Sequence, residues 1–351
     1  MTRKQYIKEA RADLPGVAFD SIRRMLLHQA EEHGLPLQED EPGRVTVETG
    51  YGLIGLREGV DASVTGMVAA SDTRSLFVMK NALVEQLRTV SPDLAETMRW
   101  SDSAATGGFP PNFQFGQVTQ VERLGDAFLR VSLQVEDVSV FGDESIHFRL
   151  VLPPSGMTPD WPTVAPNGST RWPKGPGAPH IPVYTVRSLD PASNVMVMDV
   201  FRHDGGRITE WCEEIRAGDL RRGRVGIVGP GGGGLVDAQS LLVASDETGF
   251  PAVARLIEGL PEGAKAEVIL ETAGSAESPY PLPAREGVSV RWLSRQTGQT
   301  IADAALEALP RHSTSAIWFA GEKKAARRLR SAAKTMGFPA SDLYITAFWA
   351  M

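Results

Sequence analysis

Residues 182–191, PVYTVRSLDP, bring an aromatic ring, a hydroxyl and a guanidinium together within four positions. In an extended strand these side chains alternate between two faces, with Thr185 and Arg187 on one face and Tyr184 on the other. An aromatic-hydroxyl-basic strand of this kind can hold the flat ring of a flavin rigidly. Taken alone, the stretch is equally typical of an ordinary half-buried strand.

A glycine-containing turn follows some twenty residues later, in HDGGRITEWCEEIRAGD. His203 precedes the turn, Gly205 and Gly206 allow close approach of a ligand to the backbone, and Thr209 adds a hydroxyl at the first turn of a predicted helix. The free N–H groups and the dipole of a helix N-terminus favour anions, so this turn can hold a pyrophosphate. Alone it is a turn before an amphipathic helix, but together the two stretches indicate a flavin site.

The glycine run GPGGGG at 229–234 fits G-x-G-x-x-G through Gly229, Gly231 and Gly234. A dinucleotide fingerprint must open a helix, whereas LVDAQSLLVAS, a turn and then a strand, follows here. We therefore reject a dinucleotide site at this position and interpret the run as a flexible domain connector.

Three further groups follow later in the chain. Asp246, Glu247 and Thr248 come directly after a predicted strand, at the strand end where open α/β sheets bind ligands. Glu322 takes the equivalent position after AIWFA. Both places are also typical of helix starts. The densest basic cluster is on the next helix, which is either a solvated face or a surface for anionic ligands; it consists of Lys323, Lys324, Arg327, Arg328 and Arg330.

The elements that must position these groups fall into three predicted domains. Residues 1–105 read as an α+β domain, with helices at VAFDSIRRMLLHQAEEHG and around Leu76–Leu87 and three strand-like runs between them. Short alternating segments then predict an antiparallel β-barrel over 113–234. Strands alternating with helices predict an α/β domain with a parallel, doubly wound sheet over 235–351.

Composition narrows the class of protein. The 351 residues carry a net charge of −7, which argues against nucleic acid as the main partner. The single cysteine, Cys212, excludes an intrachain disulfide framework, and the six histidines show no metal-ligand spacing. Residues 1–16 contain no apolar core of signal-peptide length, and no stretch is long and apolar enough for a membrane helix. We expect a cytoplasmic protein that does not associate with membranes.

From about Phe113 onward the chain resembles the siderophore-interacting protein family, flavin enzymes of the ferredoxin–NADP reductase superfamily. Four ordered motifs carry the resemblance: Tyr-Thr-x-Arg followed by Asp190-Pro191; a His-Gly-rich turn opening a helix with Trp211; SDETGFPA at 245–252; and Ala-Gly-Glu at 320–322 with Phe348-Trp349 near the end. Residues 1–105 resemble more weakly a small α+β domain of unassigned function that is fused ahead of some such reductases.

The resemblance implies an FAD-dependent ferric-siderophore reductase that relays electrons from NAD(P)H or ferredoxin through FAD to Fe(III). Thr185 is then the catalytic residue, bonding near the flavin N5, while Tyr184 stacks on the ring. The implied cofactor-binding residues are Tyr184, Thr185, Val186, Arg187, His203, Gly205, Gly206, Ile208 and Thr209. The substrate and nicotinamide residues are Asp246, Glu247, Thr248, Glu322, Lys323, Lys324, Arg327 and Trp349. No protein metal site is implied.

The sequence departs from the family pattern at two positions of the flavin site. Pro182 replaces the first Arg of the strand motif, and Arg207 replaces a proline in the phosphate-binding turn. Two alternatives to the siderophore reductase therefore stay open. One is a flavin reductase with another acceptor, and the other is a non-catalytic binding protein that has lost the flavin.

Overall fold

The structure, a computed structural model, describes residues 6–102, 106–274 and 278–350, without the side chains of residues 220 and 221. The chain divides into two compact units. Unit 1 comprises the residues up to Phe113 together with Pro153–Pro179, and unit 2 comprises Gln114–Leu152 and the residues from His180 onward. The predicted domain bounds stay predictions, and the bound at residue 105 lies outside the described residues.

Unit 1 contains a five-stranded antiparallel sheet in the order β1-β5-β4-β3-β2. Its strands are β1 (Lys8–Asp13), β2 (Leu37–Glu41), β3 (Arg44–Glu48), β4 (Gly52–Glu58) and β5 (Val64–Ala70). Its helices are α1 (Phe19–His33), α2 (Thr73–Val90) and α3 (Pro92–Thr97). The apolar residues at helical spacing in α1 and α2 are buried in one core with the alternate residues of the strands. Gly34 ends α1 in the left-handed conformation, as the sequence predicts.

The segment Pro153–Pro179, which the sequence places within the barrel domain, packs as part of unit 1. It forms a two-stranded ribbon from β9 (Thr163–Val164) and β10 (Thr170–Arg171). The buried amide of Asn167 donates to the carbonyl of Ala95 at 2.7 Å, and the Trp100 indole donates to the Asn167 carbonyl at 2.9 Å. The Thr170 N–H donates to the Asn81 side chain at 2.8 Å. Hydrogen bonds to Asn81 of α2, to Ala95 of α3 and from Trp100 just after α3 therefore hold this loop.

The first half of unit 2 is a seven-stranded sheet in the order β11-β8-β14-β6-β7-β13-β12. Its strands are β6 (Phe113–Leu124), β7 (Phe128–Val135), β8 (His147–Val151), β11 (Val183–Thr185), β12 (Ser188–Asp190), β13 (Val195–Phe201) and β14 (Arg224–Gly231), and it carries helix α4 (Arg207–Arg216).

The two edges of this sheet meet. β11 and β12 lie at opposite ends of the strand order, yet only Val186 and Arg187 separate them along the chain. The Val186 N–H donates to Ile146 and the Arg187 N–H to Val197, each at 2.8 Å. The sheet must therefore curl into the predicted barrel, and the stretch VYTVRSLD is two strands at its closure rather than one.

The glycine run is structured, and the interpretation of it as a flexible connector is wrong for its first part. Gly229–Gly231 belongs to β14. A Cβ added at Gly232 would lie 2.7 Å from the His147 ring, and one at Gly234 would lie 2.3 Å from the Asp143 carbonyl. At Gly232 and Gly234, neighbouring groups therefore leave no room for a side chain.

The second half of unit 2 is the predicted α/β sheet, five parallel strands in the order β17-β16-β15-β18-β19. The strands are β15 (Ser240–Ser245), β16 (Lys265–Thr272), β17 (Val288–Ser294), β18 (Ala316–Glu322) and β19 (Leu343–Trp349). Helix α5 (Phe250–Gly259) packs on one face, and α6 (Ile301–Ala308) and α7 (Lys323–Thr335) pack on the other. The α+β, β-barrel and α/β fold classes are thus confirmed.

Both halves of unit 2 share a buried polar link. The Asp199 side chain, fully buried on β13, accepts from Arg130 at 2.8 Å through both carboxylate oxygens. The Tyr280 hydroxyl, from the segment between β16 and β17, donates to the same carboxylate at 2.7 Å. The Phe128 ring contacts both Phe250 and Tyr280, so a residue of the barrel also belongs to the hydrophobic core beneath α5.

None of the helices in the described ranges is long and apolar enough to cross a bilayer.

Candidate functional site

Strand β11 presents Tyr184 and Thr185 at the closure of the barrel. Thr185 is buried, and Tyr184 is half-buried beside Phe148, with ring centroids 6.5 Å apart. Burial raises the pKa of the Tyr184 hydroxyl, so this side chain stays neutral. Pro182 is tolerated because β11 is an edge strand, and its carbonyl still accepts from the Leu150 N–H at 2.9 Å.

The neighbouring Val186 points into the barrel. Its side chain is fully buried in the barrel core, and its carbonyl accepts from the Arg255 guanidinium at 3.0 Å. Its side chain is therefore committed to packing rather than to the cofactor.

His147 on β8 is a site residue that the sequence analysis missed. It pairs across the strands with Thr185, and its Nδ1 lies 3.2 Å from the Thr185 hydroxyl oxygen. Burial, helped by the positive charge of Arg255, lowers the pKa of His147 to about 4. A lone His in SIHFRLVL gives no signal until the strand pairing that places it opposite Thr185 is known.

The predicted phosphate-binding turn ends in helix α4. Gly206 is the N-cap residue and, as a glycine, offers no side-chain cap to the first turn. A Cβ at Gly206 would lie 2.6 Å from the His203 ring, whereas Gly205, at φ 70°, faces open space. The Gly206 N–H donates to the His203 carbonyl at 3.2 Å, so it is already used within the turn.

The hydroxyl of Thr209 faces back toward this turn. It accepts from the His203 N–H at 3.4 Å. The side chain of Ile208 is buried in the barrel core, in the cluster that Tyr184 borders. The strand and the helix predicted to share the flavin are thus adjacent.

Arg187 lies in a different environment from the one predicted. Its guanidinium donates two hydrogen bonds to Glu258 at the end of α5, at 3.0 and 2.8 Å. The Arg187 side chain is only 13% exposed, and its Nε is buried without a hydrogen-bond partner. In this arrangement Glu258 occupies the two N–H groups best suited to bind a phosphate in bidentate fashion.

The first turn of α4, Tyr184 and Thr185 fit FAD, whereas the ion pair between Arg187 and Glu258 removes one expected phosphate contact. The uncapped N-terminus of α4 and the open backbone at Gly205 form a cradle for a diphosphate. Tyr184 and Thr185 supply the aromatic face and hydroxyl for the ring. Arg187 can contribute only if it leaves Glu258.

A second group lies at the carboxyl ends of the parallel strands. Asp246 caps the turn after β15 by accepting from the Thr248 N–H at 3.0 Å, and it accepts from the Trp349 indole at 2.7 Å. Burial raises the pKa of Asp246, against the opposing effect of these hydrogen bonds. Glu322 lies opposite Trp349 in the β18–β19 register and caps α7 through the N–H groups of Lys324 and Ala325.

The third carboxylate of this group, Glu247, is bound to other residues of the protein. Glu247 is buried, forms an ion pair with Arg295 at 2.9 Å and also accepts from the Ala273 N–H. Arg295 bridges it to a second buried carboxylate, Glu271. Glu247 therefore holds neighbouring loops together.

The basic residues Lys323, Lys324 and Arg327 follow Glu322 in the first turns of α7 and are exposed. Arg328 is bound to Asp303 at 2.7 Å, and Arg330 donates to the carbonyl of Ile345.

Phe348 connects the residues around Thr185 on the barrel with those at the carboxyl ends of the parallel strands. Its ring meets the His147 ring edge to face, with centroids 5.4 Å apart, and its neighbour Trp349 binds Asp246. The structure thus brings Thr185, Asp246 and Trp349 into one region of unit 2 through His147 and Phe348. Within the described ranges, no group of three or more His, Cys, Asp or Glu side chains is placed to hold a metal ion.

Comparison with protein families gives two adjoining matches. Residues 117–234 match the model of the siderophore-interacting FAD-binding domain, and residues 238–351 match that of the siderophore-interacting protein. The two matches together span both halves of unit 2.

Individual relatives are more distant. The ferric vibriobactin reductase ViuB of Vibrio cholerae is 26% identical over 189 residues, which cover 52% of this chain and 67% of that protein. The mycobactin import ATP-binding/permease protein IrtA of Mycobacterium tuberculosis is 24% identical over 47% of this chain, and the alignment spans only 19% of its length. A solved structure, a siderophore utilization protein from T. fusca, is 26% identical with a TM-score of 0.54, covering 70% of this chain and 95% of that one.

Proposed function

Because this chain belongs to the siderophore-interacting protein family, we propose that it is an FAD-dependent reductase that releases iron from ferric siderophores. The observation that carries the proposal is that Tyr184 of β11 packs against the same hydrophobic cluster that contains Ile208, in the first turn of α4. Both elements lie in the part of the chain that matches the FAD-binding model, and Gly206 at the start of α4 offers no side-chain cap. The similarity to ViuB supports the same kind of reaction.

Each residue has a defined task in this proposal. Tyr184 stacks on the flavin ring, the Thr185 hydroxyl hydrogen-bonds at N5, and the first turn of α4 holds the diphosphate through the N–H groups of Ile208 and Thr209. Bound FAD supplies the chemistry that links a two-electron donor to one-electron acceptors. The burial of Thr185 keeps bulk water away from this end of the ring.

We place the electron donor, NAD(P)H or ferredoxin, at the carboxyl ends of the parallel strands, near Asp246, Thr248 and Trp349. The ferric siderophore is the substrate, and the exposed cations of α7 attract the anionic members of this class. Reduction releases iron because hard oxygen ligands hold Fe(II) less tightly than Fe(III). A chain with a single cysteine suits a reducing compartment, which agrees with a cytoplasmic location.

The decisive experiment begins with the visible absorption spectrum of the purified protein before and after addition of FAD and dialysis. We expect retained flavin bands, bleaching by NADH, NADPH or reduced ferredoxin under anaerobic conditions, and Fe(II) release from ferric siderophores captured by a chromogenic chelator. Flavin that is retained and reduced, with no Fe(II) formed from hydroxamate, catecholate or carboxylate siderophores, would favour a flavin reductase with another acceptor.

One specific observation favours a second candidate, a non-catalytic protein that has lost the flavin. Pro182 removes one cation from the strand motif, and Glu258 occupies the other, Arg187. A charge-assisted contact is worth about 1.5–3 kcal/mol, so losing two weakens binding severely if α4 does not compensate. A protein that is colourless once added FAD has been dialysed away supports this candidate and contradicts the reductase.

A further inference from the structure

His147 and Thr185 form a side-chain pair that the family motifs do not include. They face each other across β8 and β11, at a position where the backbones of antiparallel strands approach closely. The distance of 3.2 Å between the Thr185 hydroxyl and His147 Nδ1 is that of a hydrogen bond.

Three neighbours hold the imidazole of His147 in place. Gly232 lies so close that a Cβ there would be 2.7 Å from His147 Cδ2. Phe348 packs edge to face against the ring at 5.4 Å. Arg255, bound to the Val186 carbonyl, places a positive charge nearby and disfavours a second proton on the ring. The imidazole is therefore neutral and confined to one orientation.

We propose that His147 is a positioning residue that orients the Thr185 hydroxyl toward the flavin. This inference rests on the proposed function, because it concerns how Thr185 meets N5. A threonine hydroxyl has one proton to donate, and a neutral imidazole nitrogen either donates or accepts, but not both. A Thr185 hydroxyl that donates to His147 can only accept on its flavin side, whereas one that accepts from His147 has its proton free to donate to the flavin.

That defined role has a measurable consequence. N5 accepts a hydrogen bond in oxidised FAD and donates one in reduced FAD, so a hydroxyl held in one direction binds one redox state better than the other. Releasing the hydroxyl should change the ratio of the two binding constants about threefold to tenfold, the range of one neutral hydrogen bond. For a two-electron couple this is a shift of about 15 to 30 mV in midpoint potential.

The test compares midpoint potentials of FAD-loaded variants. His147→Leu removes the bond to Thr185 and should shift the potential by the amount above. His147→Asn, whose amide reaches the position of Nδ1, should keep the wild-type value, and His147→Gln, whose amide reaches the position of Nε2, should not. His312→Gln is the matched control, because the His312 ring is bound to Glu267 and Ser315 in the α/β sheet.

A double-mutant cycle separates positioning from a general effect of the imidazole. In a Thr185→Val background, replacing His147 by Leu should no longer shift the potential. The same shift in both backgrounds, or equal potentials in the Asn and Gln variants, would overturn the proposal. If His147→Leu fails to fold, the Asn and Gln variants alone decide. Wild-type protein that retains no FAD refutes the proposed function, and the role of His147 with it, whereas FAD-loaded variants of unchanged potential refute only the role of His147.

Discussion

A guanidinium that a carboxylate holds with two hydrogen bonds cannot bind a phosphate with the same N–H groups. Arg187 is in this position in the structure, with Glu258 as its partner. The sequence predicts Arg187 as a cofactor-binding residue, and its role depends on the balance between this ion pair and the diphosphate. Glu258 is 46% exposed, so solvent weakens the pair and allows an exchange of partners.

Replacing Glu258 should strengthen FAD binding if Arg187 contributes to the site. In Glu258→Gln the competing charge is gone, and we expect the dissociation constant for FAD to fall about twofold to tenfold, with the gain shrinking at high salt. Fluorescence titration of the flavin-free protein measures it. Glu262→Gln, an exposed carboxylate just beyond α5, is the control. Unchanged or weaker binding in Glu258→Gln would mean that the ion pair is purely structural.

The half-buried His147 should also make stability sensitive to acid. Its folded-state pKa of about 4 lies below the ordinary value of 6.5, so the unfolded chain takes up a proton that the folded chain refuses. Stability is therefore fully present above about pH 6.5 and is lost as the pH falls toward 4, by on the order of 3 kcal/mol at most. We expect His147→Asn to lose less stability than wild type between pH 7 and pH 4.5 in urea denaturation. Parallel pH dependences would show that His147 is protonated in the folded state.

At the scale of elements, the loop between β8 and β11 is the segment whose structure the sequence predicts least well. It is rich in Pro, Gly and Trp, and such a loop is usually functional or disordered. Here it is ordered by polar contacts inside unit 1, with Asn167 at their centre. Its two ends continue into the strands that carry His147 and Thr185.

Truncating Asn167 should release this loop. Its amide makes buried hydrogen bonds to the Ala95 carbonyl, the Ser169 N–H and the Ser169 hydroxyl, so Asn167→Ala should cost about 2–3 kcal/mol of local stability. Trypsin should then cleave after Arg171 or Lys174 at least tenfold faster, because cleavage follows the population of the open loop. His28→Ala, an exposed truncation on α1, should cleave at the wild-type rate. Equal rates in both variants would contradict this account of the loop.

Helix α7 offers a test of substrate attraction. Lys324 is exposed near the N-terminus of the helix, at the carboxyl end of β18. Reversing its charge in Lys324→Glu should raise KM for an anionic ferric siderophore about threefold to tenfold at low salt, with kcat unchanged and the effect reduced by added salt. The control is Lys265→Glu, at the opposite, amino end of the same sheet. A KM equal to that of wild type would remove α7 from the substrate site.

At the scale of the whole chain, the barrel and the α/β sheet fall within one compact unit. The Asp199 carboxylate explains part of this cohesion, because it accepts hydrogen bonds from both halves. A charged group without exposure to solvent is tolerated only with its donors present. The link between the halves is therefore strongest while all three side chains remain.

Removing one donor should loosen unit 2. Tyr280→Phe deletes the hydroxyl that donates to Asp199 while leaving the ring packed on Phe128, and we expect a loss of about 1–3 kcal/mol in the unfolding of unit 2. Thermal denaturation followed by near-UV circular dichroism measures it. Tyr344→Phe, at an exposed tyrosine of β19, should be neutral. If the two Tyr→Phe variants are equally stable, Asp199 does not depend on Tyr280.

Local patterns in the sequence determined much of this protein. Helical spacing predicted α1 and α2, alternation and apolar runs predicted most strands of unit 2, and ordered motifs indicated the family that the comparisons confirm. Such patterns suffice because each element must bury one face whatever it packs against. These patterns did not predict β1 and β2, because β1 (KEARAD) buries only two alanines and β2 (LQEDE) is exposed throughout.

Only the tertiary structure decided which distant residues meet. Thr185 and His147 are 38 residues apart, Arg187 and Glu258 are 71 apart, and Tyr280 and Asp199 are 81 apart. These pairs depend on strand order and on the closure of the barrel at Val186, which the chain selects through the free energy of all its contacts together. A residue's type shows which chemistry it can do, whereas its partner, and so its role, follows from a choice that no local stretch of sequence contains.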